Sequence, residues 1–283
     1  MNYLLFNPKA KNSKTAEDLA MIHKALQSQQ IREYNLTDYE DYKDILKNVK
    51  PDDTIYLVGG DGTLNRFIND MNTLSIACEV YFYSAGTGND FKRDVDPENR
   101  VNRIKINKYI QKLPTVIIND RKYRFINGVG FGLDGYTCEN IDIARQKNII
   151  KNKYTKQAVT GVLFGYKPCS AKVTIDGVTK EYKKAWCAST MFGKYYGGGI
   201  CVAPRQSRFN SNHTVTCVVL HSSSRLMLAA RFSSIIKGKH AKYTKMVDFH
   251  TGHNIVVEFS KPCSLQMDGE VLKNVSRYEV IYE

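Results

Sequence analysis

Thr54-Ile55-Tyr56-Leu57-Val58-Gly59-Gly60-Asp61-Gly62-Thr63 is the stretch on which the reading of this chain turns. Thr54 to Val58 is a continuous, largely apolar run, the pattern of a strand buried in a parallel sheet. It breaks into three glycines around one acid, and a helical pattern follows from about Leu64 to Met71. Strand, glycine turn and helix in that order belong to an α/β sheet. Glycines let the backbone turn sharply and bring N–H groups against a phosphate, and a helix N-terminus adds a favourable dipole. Asp61, set between glycines, has nothing to pack against; a carboxylate beside a phosphate site works through Mg²⁺. Taken alone, the stretch also fits a tight turn that happens to hold an acid.

Working outward, the rhythm repeats. Tyr3 to Phe6 is a short strand ended by Asn7-Pro8, and Ser13 caps a helix with Leu19, Ile22 and Leu26 on its apolar side. Ile31 to Leu36 reads as a strand, and Tyr39 to Val49 as a helix stopped by Pro51. Downstream, the strand Glu79 to Tyr83 runs into a second glycine loop, Ser84-Ala85-Gly86-Thr87-Gly88-Asn89-Asp90-Phe91. In a parallel sheet both loops fall at the carboxyl edge, where ligands bind. Two such loops, each with an Asp, outline a nucleotide site with a metal shell.

Beyond Pro114 strands dominate: Val116 to Ile118, Arg124 to Asn127, Lys172 to Ile175, Ala185 to Met191, Val215 to Leu220, Ile255 to Phe259 and Tyr278 to Tyr282. Asp176-Gly177 and Asp268-Gly269 are hairpin turns. Helical patterns interrupt at roughly 138–166 and 223–237. The predicted architecture is an open, mostly parallel α/β domain over 1–113 and a β-rich domain with helical insertions over 114–283.

Composition bounds the function. The chain has 283 residues, 42% of them apolar and 24% charged, which excludes a disordered protein. No apolar run approaches the ~18 residues of a membrane span, and MNYLLFNPKAK lacks a signal-peptide pattern. Seven Cys without a C-x-x-C pair, set in stretches such as those around Cys187 and Cys217, read as buried thiols of a reducing cytoplasm. The net charge is +13. Residues 1–113 hold 16 basic and 16 acidic side chains, so the whole excess lies in 114–283. Two acid-free stretches concentrate it. One carries Arg145, Lys147, Lys151, Lys153, Lys156 and Lys167; the other carries Arg225, Arg231, Lys237, Lys239, Lys242 and Lys245. Both are interleaved with aliphatic and aromatic residues. They read either as solvated faces of packed helices or as a surface for anionic lipid. No nucleic-acid motif accompanies them, so nucleic acid is not expected as a partner. His250 and His253 read as turn residues rather than zinc ligands.

The order Asn7-Pro8, GGDGT, GTGNDF resembles the catalytic domain of the diacylglycerol kinase family, which includes bacterial lipid kinases and sphingosine kinases. The resemblance continues through Gly128-Val129-Gly130-Phe131-Gly132-Leu133-Asp134. It extends to Tyr196-Gly197-Gly198-Gly199-Ile200-Cys201-Val202-Ala203-Pro204 and Gln266-Met267-Asp268-Gly269-Glu270. It implies an ATP- and Mg²⁺-dependent lipid kinase with an α/β nucleotide domain, a β-sandwich second domain and an active site between them. On this pattern Asn7, Gly59, Gly60, Asp61, Gly62, Thr63, Gly86, Thr87 and Asn89 hold the nucleotide, and Asp61 and Asp90 organise Mg²⁺ and its waters. Asp268 and Glu270 come from the second domain, one of them as general base toward the acceptor hydroxyl, and Asp134 lies near the lipid head group. Read from the residues alone, Asp268-Gly269 is an ordinary hairpin turn, which Asp-Gly strongly favours. The charge split adds the expectation of a cytoplasmic protein peripherally associated with the inner face of the membrane through its second domain; a final strand that packs back on the first domain and a homodimer are compatible with the sequence.

Four positions depart from the family pattern. Arg66 stands where Glu is usual, and either touches a phosphate or is a solvated arginine. Thr115 to Ile118 offers no acid where many members carry Asp. Asn210-Ser211 replaces an Asp-Gly held around a structural Mg²⁺, so a weaker cation site is expected. Ser84 replaces a common Pro. These departures keep open a second class, an ATP- and lipid-binding regulatory protein without efficient transfer. NAD kinase-like activity shares only GGDGT.

Overall fold

The Thr54–Gly59 run lies where its apolar pattern requires, at the centre of a five-stranded sheet with Ile55, Leu57 and Val58 fully buried. The computed structural model describes residues 1–10, 12–27, 29–71, 77–147 and 154–283. The chain folds as two units, Met1–Leu113 and Pro114–Glu283.

Unit 1 contains β1 (Asn2–Phe6), α1 (Asn12–Ala25), β2 (Ile31–Asn35), α2 (Lys43–Leu46), β3 (Thr54–Gly59) and α3 (Asp61–Asp70). After these come β4 (Glu79–Ser84), α4 (Asp90–Val95), β5 (Arg103–Lys105) and α5 (Asn107–Ile110). The strand order is β2-β1-β3-β4-β5, with β1 to β4 parallel and β5 antiparallel to β4. This is the open, mostly parallel α/β sheet expected. The helix expected over Tyr39 to Val49 shrinks to the single turn α2. The backbone N–H of Tyr42 donates to Asp70, 2.9 Å away at the far end of α3, so a distant side chain sets where the turn begins.

Unit 2 opens with β6 (Thr115–Ile118), β7 (Arg121–Arg124), β8 (Gly128–Gly132), α6 (Leu133–Gln146) and α7 (Tyr154–Thr160), which runs into a π-helical turn at Gly161–Gly165. There follow β9 (Cys169–Ile175), β10 (Val178–Met191), β11 (Tyr195–Tyr196), β12 (Ile200–Cys201), β13 (Val215–His221) and α8 (Arg225–Ile236). The unit closes with β14 (Val247–Gly252), β15 (Asn254–Met267) and β16 (Glu270–Ile281).

Nine strands form one sheet, β14-β13-β10-β8-β15-β16-β6-β7, with β9 bridging β10 and β15. The bridging is possible because β10 and β15 are long and bent. The first half of each pairs with β9 and the second half with β8, and irregularities separate the halves at Tyr182–Ala185 and at Glu258–Cys263. Pro262, which has no ladder donor, sits in the second irregularity. One sheet thereby folds over on itself, and Trp186, Phe131 and Tyr278 are fully buried within the unit. Both Asp-Gly turns are as expected: Asp176 and Gly177, then Asp268 and Gly269, all have positive φ, the geometry of two-residue hairpins.

Two expectations are corrected by these strands. The strand placed at Arg124 to Asn127 ends at Arg124, because the next residues are gripped by side chains described below. His250 is a strand residue of β14, its ring nitrogen 2.6 Å from the Tyr182 hydroxyl; the ladder to β13, not a turn, decides its place. Within unit 2 the final strand β16 pairs with β15 and β6, and this pairing leaves the expectation that it packs back on the first domain untouched. Lys151 and Lys153 of the first basic stretch lie outside the described residues.

Candidate functional site

In unit 1 the loops after β1, β3 and β4 are neighbours because those strands are. Gly59 and Ser84 are register partners, and the Ala85 N–H donates to the Gly59 carbonyl at 2.8 Å. The Asn7 N–H donates to the Val58 carbonyl at 3.0 Å, and its amide Nδ2 donates to Thr63 Oγ1 at 3.1 Å. Asn7 thus ties the β1 loop to the first turn of α3.

The glycines are there for contact between the loops. A Cβ on Gly86 would sit 2.7 Å from the Gly60 Cα, and one on Gly60 would sit 3.2 Å from the Gly86 Cα. Asp61 completes the junction. Its Oδ2 accepts from the Asp90 N–H at 3.0 Å and its Oδ1 from the Phe91 N–H at 3.1 Å, capping α4 from the neighbouring loop. Asn89, before α4, holds the left-handed conformation at φ 55°.

Two features suit this junction to a phosphate. α3 starts at Gly60 with no side-chain cap, so its first-turn N–H groups are available to a ligand oxygen. Ser84 Oγ, a hydroxyl able to donate, is buried without a hydrogen-bond partner; so is Asn89 Oδ1, which as an amide oxygen only accepts and suits a cation instead. Asn7, Gly59, Gly60, Asp61, Thr63, Gly86 and Asn89 therefore share one junction. Gly62 is half-buried in α3, Thr87 is exposed in the second loop, and Asp90 is buried in the first turn of α4. Arg66 neither meets a phosphate nor stands free in solvent. Its guanidinium donates to the Tyr39 carbonyl at 2.6 Å, lies 4.3 Å over the Tyr42 ring and pairs with Asp70 at 3.6 Å.

In unit 2 the Asp268 carboxylate is buried and accepts three backbone N–H groups: Ile126 and Asn127 at 2.7 Å and Gly128 at 3.0 Å. From the other side Arg208, also buried, donates to the Ile126 carbonyl and, at 2.8 Å, to Asn127 Oδ1. Residues 126–128 are thus gripped between an acid and a base far from them in sequence. Glu270, two residues after Asp268, is exposed at the start of β16.

Asp134 stands in the first turn of α6 and is only 2% exposed. The Ser189 hydroxyl donates to its Oδ2 at 2.6 Å and the Gly135 N–H to its Oδ1 at 2.9 Å. Gly130 makes room for this pair, since a Cβ there would be 2.5 Å from Asp134 Oδ2. Burial pushes the Asp134 carboxyl up to about 7 against the pull of these bonds, and pushes the neighbouring Cys187 thiol and Tyr196 hydroxyl upward too.

Sequence reading missed Ser189, Asn127 and Arg208. No local spacing marks them, because each is defined by a partner 55 or more residues away. Among the described residues no group of three or more His, Cys, Asp or Glu converges as a metal shell. A cavity of about 660 Å³ near Arg100, Arg103 and Lys108 in unit 1 is lined by none of the loop residues.

Residues 2–120 match the family model described as the diacylglycerol kinase catalytic domain, and residues 127–281 match the YegS C-terminal NAD kinase beta sandwich-like domain. The chain belongs to the diacylglycerol kinase family, and membership of a kinase family implies use of ATP.

Its relatives include a protein named "Putative lipid kinase" from Staphylococcus epidermidis, 23% identical over 77% of this chain and 70% of that one. Another is "Putative lipid kinase YtlR" from Bacillus subtilis, 21% identical over 77% and 74%. Among solved structures, one titled a putative diacylglycerol kinase from Bacillus anthracis shares the fold with a TM-score of 0.70 and 22% identity, over 100% of this chain and 95% of that one. Yeast NADH kinase complexed with NADH shares it more distantly, with a TM-score of 0.52 and 11% identity over 100% and 78%.

Proposed function

We propose that the chain is an ATP-dependent lipid kinase that transfers the γ-phosphoryl group to a hydroxyl of diacylglycerol or a similar lipid. The observation that carries this reading is the junction of unit 1, where Gly60 abuts Gly86 and Asp61 caps α4 beside the uncapped start of α3. Phosphoryl transfer asks for positioning and charge neutralisation more than covalent chemistry, and such a junction supplies directed N–H groups for both.

The acceptor hydroxyl forms a bond to the γ-phosphorus as the bond to the β,γ-bridging oxygen breaks, leaving ADP. Glu270 takes the hydroxyl proton. Of the two acids of the DGE motif it is the exposed one, whereas both Asp268 oxygens already accept backbone N–H groups. Asp268 then holds residues 126–128 and the hairpin that presents Glu270. Asp134, paired with Ser189, is the polar group that meets the lipid head group.

Mg²⁺ would be held at the junction by Asn89 directly, with Asp61 and Asp90 as its nearby acids. Asn89 Oδ1 is a buried, unpartnered hard oxygen, and the Asp61 and Asp90 carboxylates supply charge, with Asp61 acting through waters because its oxygens already hold α4. When bound, Mg²⁺ neutralises phosphate charge during transfer.

The lipid partner sits in a membrane, and no helix among the described residues is long and apolar enough to cross one. Peripheral docking of unit 2 on an anionic surface fits its exterior. Phe164, 82% exposed on the π turn, stands on an element that packs against α8, whose first turn exposes Leu226 (77%) and Met227. Arg225 and Lys184 lie over the Trp186 ring nearby. Apolar side chains flanked by cations suit an interface between water and acyl chains.

A second reading, an ATP- and lipid-binding regulator without transfer, is favoured by β6, which carries no acid. One experiment separates the two: ATP and a panel of lipids in mixed micelles, analysed by mass spectrometry, with Asp61→Ala alongside. The kinase reading expects a phosphorylated lipid with wild type and none with Asp61→Ala. ATP and lipid binding without product would establish the regulator.

A further inference from the structure

We infer that the loop Gln206–Thr214 is closed by its own side-chain amides in the place where family resemblance puts a structural Mg²⁺, so unit 2 keeps its shape without a divalent cation. Two carbonyls face into this loop, those of Ser207 and Thr214. The Asn210 amide Nδ2 donates to Ser207 O at 2.7 Å and to Thr214 O at 2.9 Å. The buried Gln206 amide Nε2 donates to the same two oxygens, at 3.3 and 3.0 Å. Each carbonyl has two lone pairs, and the two amides use both on each. The amide oxygens are engaged as well. Asn210 Oδ1 accepts from the Thr214 N–H at 2.8 Å and from its hydroxyl at 3.1 Å, and Gln206 Oε1 accepts from the Thr216 hydroxyl at 2.7 Å.

Mg²⁺ needs about six oxygens near 2.0–2.1 Å in octahedral order. Here the oxygens that could begin such a shell are already paired with N–H hydrogens, and the only side-chain oxygen at position 210 is neutral and doubly occupied. The residues therefore do not fit the cation. The loop also carries a charge of its own, the buried guanidinium of Arg208.

This charge also has a structural role. Arg208 holds the Ile126 carbonyl and Asn127 Oδ1, while Asp268 holds the N–H groups of residues 126–128. An unbroken series of bonds runs from the amide-closed loop through Arg208 and residues 126–128 to the Asp268-Gly269 hairpin. The substitution of Asn210 for Asp is thereby explained as a change of device, from an ion to an amide. This inference holds whatever the acceptor of the kinase proves to be.

Trp186 is the single tryptophan and is fully buried in unit 2, so its fluorescence follows the unfolding of that unit. Thermal unfolding is followed in chelator and in millimolar Mg²⁺, without nucleotide, for wild type, Asn210→Ala and Asn210→Asp. The expected result is a wild-type midpoint equal in both solutions, a lower midpoint without Mg²⁺ response for Asn210→Ala, and a midpoint that rises with Mg²⁺ for Asn210→Asp, whose carboxylate would face Ser207 O and Thr214 O. A wild-type midpoint that rises with Mg²⁺ and loses this response in Asn210→Ala would overturn the inference. So would an Asn210→Asp protein that unfolds identically in both solutions. Should Asn210→Asp fail to fold, the wild-type and Asn210→Ala arms still decide.

Discussion

Under the proposed function, Asp61 serves structure and chemistry together. Its carboxylate ties the two glycine loops together, so its loss is felt first as disorder of their junction. Asp61→Ala is expected to cost roughly 1–3 kcal/mol, the range for stranding buried hydrogen-bonding partners. It is also expected to abolish ATP binding in calorimetry; Asp61→Asn, which keeps one acceptor, loses less of both. Gly86→Ala tests the same junction by steric means. A methyl 2.7 Å from the Gly60 Cα forces the loops apart, so nucleotide affinity falls while the Trp186 unfolding signal of unit 2 stays unchanged. Asp134 makes a prediction about pH. Its ordinary value of 3.8 is raised to about 7 by burial. An acid whose folded pKa is raised holds its proton longer in the folded state than in the unfolded one. Its contribution to stability is therefore full below about 4 and is lost as pH climbs toward 7. Asp134→Asn, which keeps an acceptor for Ser189, is expected to flatten the fall in stability between pH 5 and 7 relative to wild type. Parallel slopes for the two proteins in denaturant titrations would contradict that.

At the scale of elements, the strand–loop–helix units of the first half were legible because their signals are local. An apolar run, a glycine turn and a capped helix each occupy a few consecutive residues, and β3, α3 and β4 lie within a few positions of where those signals put them. Both Asp-Gly hairpins were legible for the same reason. What was hidden depends on partners distant in sequence. The helix expected at Tyr39 to Val49 is cut short by Asp70 and braced by Arg66, and the strand expected at Arg124 to Asn127 yields to Asp268 and Arg208. The bends of β10 and β15 also escape a period-two reading, since their irregularities shift the alternation part-way along each strand. The β15–β16 hairpin carries its own prediction. Glu270→Gln leaves Asp268 and its three backbone bonds in place, so folding and ATP affinity stay as in wild type. The rate of transfer is expected to fall by roughly 10²–10⁴-fold, the usual worth of a general base. Steady-state kinetics with a separate ATP titration check both halves of that statement.

For the molecule as a whole, the charge count acquires a direction. The nucleotide-type unit is neutral and the β unit carries the entire +13. With Phe164 and Leu226 exposed among its cations, unit 2 is expected to bind liposomes containing acidic lipid and to release them as salt shortens the Debye length below ~8–10 Å. Replacing Phe164 and Leu226 with Ser should weaken that binding without moving the Trp186 unfolding midpoint. Equal sedimentation with neutral vesicles at every salt concentration would remove the electrostatic part of the account. The central claim, however, is transfer itself. The most direct measurement incubates the full chain with ATP and diacylglycerol in mixed micelles and follows ADP and the lipid product together by mass spectrometry, for wild type and Glu270→Gln. The expected result is one phosphoryl group gained by the lipid for each ADP formed with wild type, and both products formed roughly 10²–10⁴-fold more slowly with Glu270→Gln. Wild type that binds ATP yet forms no phosphorylated lipid from any hydroxyl-bearing lipid, or a Glu270→Gln protein as fast as wild type, would contradict it.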